Sequence, residues 1–96
     1  MSKPAQNANA FKQLGLSEEE ETNLTIRHDL MTELKAFIKN NNLSTRGAGE
    51  ILGISNSRVS DLINGHIDKF TIDYLVNLLP KAGLKLDISI STQKAA

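Results

Sequence analysis

The chain has 96 residues, 40% of them hydrophobic and 23% charged, which suits one soluble globular domain and leaves no room for a second. The absence of cysteine excludes disulfides, thiolate zinc sites and cysteine nucleophiles together, and fits a reducing cytosol. A formal net charge of zero weighs against a non-specific nucleic-acid binder, so any DNA affinity per copy should be weak and two copies would have to share a site.

No apolar run approaches the length of a membrane span, and the N-terminus lacks the apolar stretch of a signal peptide. Residues 1–9 are small and polar and read as a flexible arm that extends to residue 16. Phe11, Leu14 and Leu16 along it could dock on the domain or on a partner.

Ser17 with Glu20 forms a capping-box pattern, which starts a first helix at Glu18 and carries it to about Asn40. Leu24, Ile26, Leu30, Met31, Leu34, Phe37 and Ile38 fall within an arc of about 140° on that helix, a core-facing stripe. Leu24-Thr25-Ile26-Arg27 also alternates like a short strand, so a break near Asn23 is an open alternative. The acidic block Glu18–Glu21 could be read as a metal or basic-protein site, but acidic side chains in a first helical turn are explained by the helix dipole. Asn40-Asn41-Asn42 ends the helix, because asparagine tolerates left-handed geometry.

Ser44 then caps a short helix over residues 45–52, closed by Gly53, and Ser55 caps a third over residues 56–64, closed by Gly65. Thr71 caps a fourth, with Phe70 and Leu75 placed as a hydrophobic staple and Ile72, Leu75, Val76 and Leu79 facing inward. Pro80 removes a backbone donor near its end, so the last turn before Gly83 should be distorted. Leu84, Leu86, Ile88 and Ile90 alternate with polar residues, the pattern of a strand with one buried face.

Residues 45–63 read as two helices joined by a tight turn. Ala48 and Gly49 are small where the second helix must cross the first, Gly53 accepts positive φ, and Ile51, Leu52 and Ile54 meet Val59, Leu62 and Ile63. On the third helix Asn56, Ser57, Ser60, Asp61 and Asn64 gather opposite that apolar side, with Arg58 at the border. Small polar side chains suit a helix deep in the major groove, since they reach base edges without holding the helix away. The first turn at Thr45, with Arg46, Arg58 and Lys69, is placed for phosphates, although Glu50, Asp61 and Asp68 offset those cations.

An enzyme fails on inventory. His28 and His66 are far apart without metal-ligand spacing, no serine sits in a nucleophile elbow, and the glycines form no phosphate-cradling loop. No cofactor or metal is expected. A protein-interaction module without DNA binding is the rival reading, and salt separates the two: phosphate-driven binding weakens steeply with salt, an apolar interface does not.

Residues 44–62 resemble the helix-turn-helix of the Cro/C1 (XRE) repressor family, with Ala48, Gly49, Leu52, Gly53, Ile54, Val59 and Leu62 at its small, glycine and apolar positions. Gly49 stands where that family usually has alanine; with Gly47 it should weaken its helix by about 1 kcal/mol per glycine. The resemblance places base-reading positions on Ser55, Asn56, Ser57, Ser60 and Asp61. Over residues 11–90 the runs from Gly53 to Leu62, Lys69 to Asp73, Leu75 to Asn77 and Gly83-Leu84 look like a subgroup of short XRE proteins described as HigA-like antitoxins, paired with a RelE-like ribonuclease toxin. Pro80 departs from that pattern.

The expectation is therefore an all-α, lambda-repressor-like helix-turn-helix domain over residues 17–83, a dimerisation strand over 84–90 and a disordered tail over 91–96. Leu84, Leu86, Ile88 and Ile90 would pair with the same segment of a second copy, because a lone strand leaves both edges unpaired. Such a protein would be a cytoplasmic, nucleoid-associated homodimeric repressor of operator DNA, the resemblance pointing to an autoregulating antitoxin. The alternative is a stand-alone or phage-like regulator.

Overall fold

In the computed structural model, residues 15–92 are described. The docking residues Phe11 and Leu14, most of the expected arm and residues 93–96 of the expected tail lie outside them. Helix α1 (Glu18–Asn40) opens on the capping box: Glu20 N–H donates to Ser17 Oγ at 3.1 Å, and Ser17 N–H donates to Glu20 Oε1 at 3.0 Å. The four glutamates of its first turn lie at the positive end of the helix dipole.

The helix runs unbroken through Asn23. The Arg27 Nε donates to Asn23 Oδ1 at 2.7 Å and the Thr25 hydroxyl to Glu21 O at 2.8 Å, both one turn back. Two apolar residues in alternation do not outweigh helix propagation from a strong cap. At the other end Asn42 takes φ 52°, and Leu43 N–H reaches Ile38 O at 3.0 Å while Asn42 N–H reaches Lys39 O at 3.1 Å. These bonds satisfy the last carbonyls and send Leu43 back toward the core.

Helix α2 (Thr45–Leu52) and helix α3 (Asn56–Ile63) follow, then a 3₁₀ turn (Ile67–Lys69), helix α4 (Ile72–Leu78) and a second 3₁₀ turn (Pro80–Ala82). Each α-helix starts on a hydroxyl cap: Ser44 accepts from Gly47 N–H, Ser55 from Arg58 N–H and Thr71 from Tyr74 N–H. The distorted turn expected at Pro80 is the second 3₁₀ turn, which Gly83 closes at φ 73°.

One core joins all four helices: Leu30, Met31, Leu34 and Ile38 from α1, Ala48 and Leu52 from α2, Val59 and Leu62 from α3, then Phe70, Leu75, Leu78 and Leu79. The stripe expected on α1 is narrower than its arc, since Ile26 is exposed and Leu24 and Phe37 are half-buried. On α4 the change of pitch before Pro80 buries Leu78 along with Leu79, while Ile72 and Val76 stay half-buried.

The expected C-terminal strand is not present in the single chain. Among the described residues there is no strand, and nothing pairs with the backbone beyond Leu84, whose N–H donates to Leu79 O at 2.9 Å. The reason is physical: a strand exists only as a hydrogen-bonded pair, and Leu24 to Arg27, the segment whose alternation offered a mate among the described residues, is helix. Leu84 packs on the core, but Leu86, Ile88 and Ile90 are progressively exposed at 40%, 73% and 90%. No helix among the described residues is long and apolar enough to cross a membrane.

Candidate nucleic-acid interface

The turn between α2 and α3 is fixed by one carbonyl. Gly49 O accepts from Gly53 N–H at 2.8 Å and from Ile54 N–H at 3.0 Å, with Gly53 in the left-handed region at φ 72°. A Cβ at Gly49 would stand 2.7 Å from Ile54 O and 3.6 Å from both Val59 Cγ2 and Asn56 Oδ1. The glycine is thus what lets the start of α3 cross α2 at backbone contact.

That crossing orients α3 with Val59 and Leu62 wholly buried and Ser55, Asn56, Ser57, Ser60 and Asn64 exposed. Four of the five expected base readers therefore form one row of short polar side chains at the first turns of a solvent-facing helix. Asp61 is different. Its carboxylate, 18% exposed, accepts from Arg58 Nη1 at 3.4 Å and from His66 Nδ1 at 3.0 Å. The His66 hydrogen bond and the nearby charges of Lys69, His66 and Arg58 hold its pKa below the usual aspartate value, against a smaller upward push from burial.

The expected phosphate contacts also separate. Thr45 is half-buried in the first turn of α2, and Arg46 is exposed beside Glu50 at 3.4 Å, a pairing water largely screens. Lys69 is exposed on the loop after α3. Arg58 turns inward: Nη2 donates to Lys69 O at 2.8 Å, and its guanidinium carbon lies 4.4 Å from the Phe70 ring centre and 4.9 Å from that of Tyr74.

Sequence reasoning missed the partner of this arrangement on α1. Arg27 Nη1 donates to Ile67 O at 2.9 Å and to Phe70 O at 3.3 Å, tying the same loop to α1. A half-apolar helix carrying an arginine among residues later found at the core edge is the only signal that could have pointed to it. Among the described residues no cluster of histidine, aspartate and glutamate could hold a metal ion.

A capped helix, a glycine turn and a second capped helix with an exposed row of short polar side chains define a helix-turn-helix unit. The chain belongs to the helix-turn-helix domain family, whose model matches residues 10–91. A solved structure described as an XRE family transcriptional regulator shares the fold with a TM-score of 0.70 at 28% identity, over 77% of this chain and 86% of that one. No curated protein matches the chain.

Proposed function

We propose that this protein is a sequence-specific DNA-binding transcriptional regulator, acting as a homodimeric repressor in the cytoplasm, at the nucleoid. The observation that carries the reading is the exposed row Ser55, Asn56, Ser57 and Ser60 on a helix whose other side is anchored by Val59 and Leu62. In this reading α3 lies in the major groove and that row meets base edges, while Thr45, Arg46 and Lys69 face phosphates. The family match and the likeness to an XRE regulator support it.

Dimerisation through Leu84, Leu86, Ile88 and Ile90 belongs to the same proposal. Two copies of this segment, antiparallel about a two-fold axis, would give each backbone a mate that the described residues of one copy do not offer and would cover three exposed apolar side chains. With zero net charge, two copies are also what a useful affinity requires.

The experiment is titration of a duplex pool over a range of salt. Phosphate-driven binding must fall linearly on a log–log plot, and salt-insensitive or absent binding would refute it. The finer assignment, an autoregulating antitoxin of a RelE-like ribonuclease, is supported only by the resemblance of residues 11–90. Co-expression with the product of the neighbouring gene tests it: relief of growth arrest and a co-purifying complex are expected, and arrest without a complex leaves a stand-alone regulator.

A further inference from the structure

We infer that Arg58 is a positioning residue and not a phosphate contact: it clasps the loop after α3 onto α3, so that Lys69 and the recognition helix meet DNA as one rigid unit. The inference rests on the DNA-binding reading and adds a role within it. Arg58 sits where sequence alone places a phosphate contact, at the border of the polar face, yet its side chain is only 31% exposed.

Its interactions point into the chain. The guanidinium donates to Lys69 O at 2.8 Å and to Asp61 Oδ2 at 3.4 Å, and lies over the Phe70 and Tyr74 rings, whose centres are 5.5 Å apart. A bidentate grip on a phosphate would compete with the Lys69 carbonyl and the Asp61 carboxylate for the guanidinium's donors and would draw it off two aromatic faces. Asp61 also offsets its charge locally.

The loop it grips is also held by Arg27 and His66. Arg27 takes Ile67 O and Phe70 O from α1, and His66 is bound to Asp61 twice, by its backbone N–H to Asp61 O and its ring to the carboxylate, each at 3.0 Å. Lys69 is the exposed cation of this loop, and the carbonyl Arg58 anchors is Lys69's own. Arg58 therefore acts on DNA through the place it gives Lys69 relative to the polar row of α3. Lysine could not substitute, since an ammonium offers no planar fork to bond one way while stacking another.

The test uses the full chain with Arg58→Lys, Arg58→Gln, Lys69→Gln and the Arg58→Gln/Lys69→Gln double variant, at a temperature where circular dichroism shows each folded. The DNA is a duplex selected by the wild type from a random pool. Lys69→Gln should lower the salt slope by about 0.9 for each protomer of the bound dimer, about 1.8 in all, the value for one phosphate neutralised by one cation in each half-site. Arg58→Lys and Arg58→Gln should weaken binding alike, by about tenfold, and the double variant should bind no more weakly than Arg58→Gln alone, because both substitutions act through the same phosphate. Reduced stability alone would leave the affinity of the folded protein unchanged.

A direct phosphate contact predicts the opposite: Arg58→Lys keeping wild-type affinity and slope, and fully additive effects in the double variant. Either result overturns the inference. Hydrogen exchange reads the clasp without DNA, with residues 66–70 exchanging faster in Arg58→Lys, and unchanged exchange there overturns it too. A wild type that binds no duplex removes the DNA reading and Lys69's role with it, while the exchange result still decides whether the clasp exists.

Discussion

Replacing Gly49 by alanine sets two opposed effects against each other at the crossing of α2 and α3. Alanine in a helix interior is favoured over glycine by about 1 kcal/mol. Against that, the new methyl group would stand 2.7 Å from Ile54 O, a contact that real Cβ atoms essentially never show. The oxygen belongs to backbone pinned between the Gly53 turn and the Ser55 cap, so it cannot swing aside as a side chain would. Overpacking of this kind costs about 1–3 kcal/mol, and a strained Ile54 N–H to Gly49 O bond about 1 kcal/mol more. The net is a destabilisation of about 1–3 kcal/mol, or a Tm lower by about 4–8 °C for each kcal/mol in a domain of this size.

Gly47→Ala is the internal control. Its Cβ would meet only Ser44 Oγ at 3.3 Å and Leu43 Cδ2 at 3.9 Å, both side-chain atoms, so most of the propensity gain should survive. Thermal and urea unfolding of the two variants beside wild type decide the matter. Two variants that are equally stabilised would refute the close crossing.

Two further perturbations follow from the geometry. The Asp61 pKa lies below its ordinary value of 3.8, so the folded state binds that proton less readily than the unfolded chain; the stabilisation is present above 3.8 and disappears as pH falls through the lower folded value. Unfolding midpoints measured on the acid side should therefore fall more steeply with pH for wild type than for Asp61→Asn, and parallel curves would contradict the pairing with His66 and Arg58. Truncation after Gly83, or Leu86→Lys with Ile88→Lys, should give a folded monomer in sedimentation with much weaker operator binding, and a truncated chain that still dimerises would move the seam to the helices.

How much of this was legible in the sequence follows the range of the interactions. The caps at Ser17, Ser44, Ser55 and Thr71 act over three residues, and the turn at Gly53 over four, so side-chain type and spacing were enough to place them. Arg58 and Arg27 bind carbonyls 11, 40 and 43 residues away, and no local pattern distinguishes an arginine aimed at a backbone oxygen from one aimed at a phosphate. Asp61 belongs to the polar face by helical spacing, but its neighbour His66 reaches it only after Gly65 turns the chain back. The alternation from Leu84 to Ile90 describes what that segment could pair as; a mate is a property of a second segment, which the described residues do not supply.

The most direct test of the central claim, that α3 reads bases, is selection from a random duplex pool by wild type, Asn56→Ala and Ser57→Ala, with deep sequencing of the bound fraction. Wild type should enrich an inverted repeat with half-sites about one helical turn apart. Each variant should keep that spacing and lose preference at particular base pairs, by about 1–3 kcal/mol where the native contact is good. The same motif with undiminished preference from all three proteins, or no motif from wild type, would contradict it.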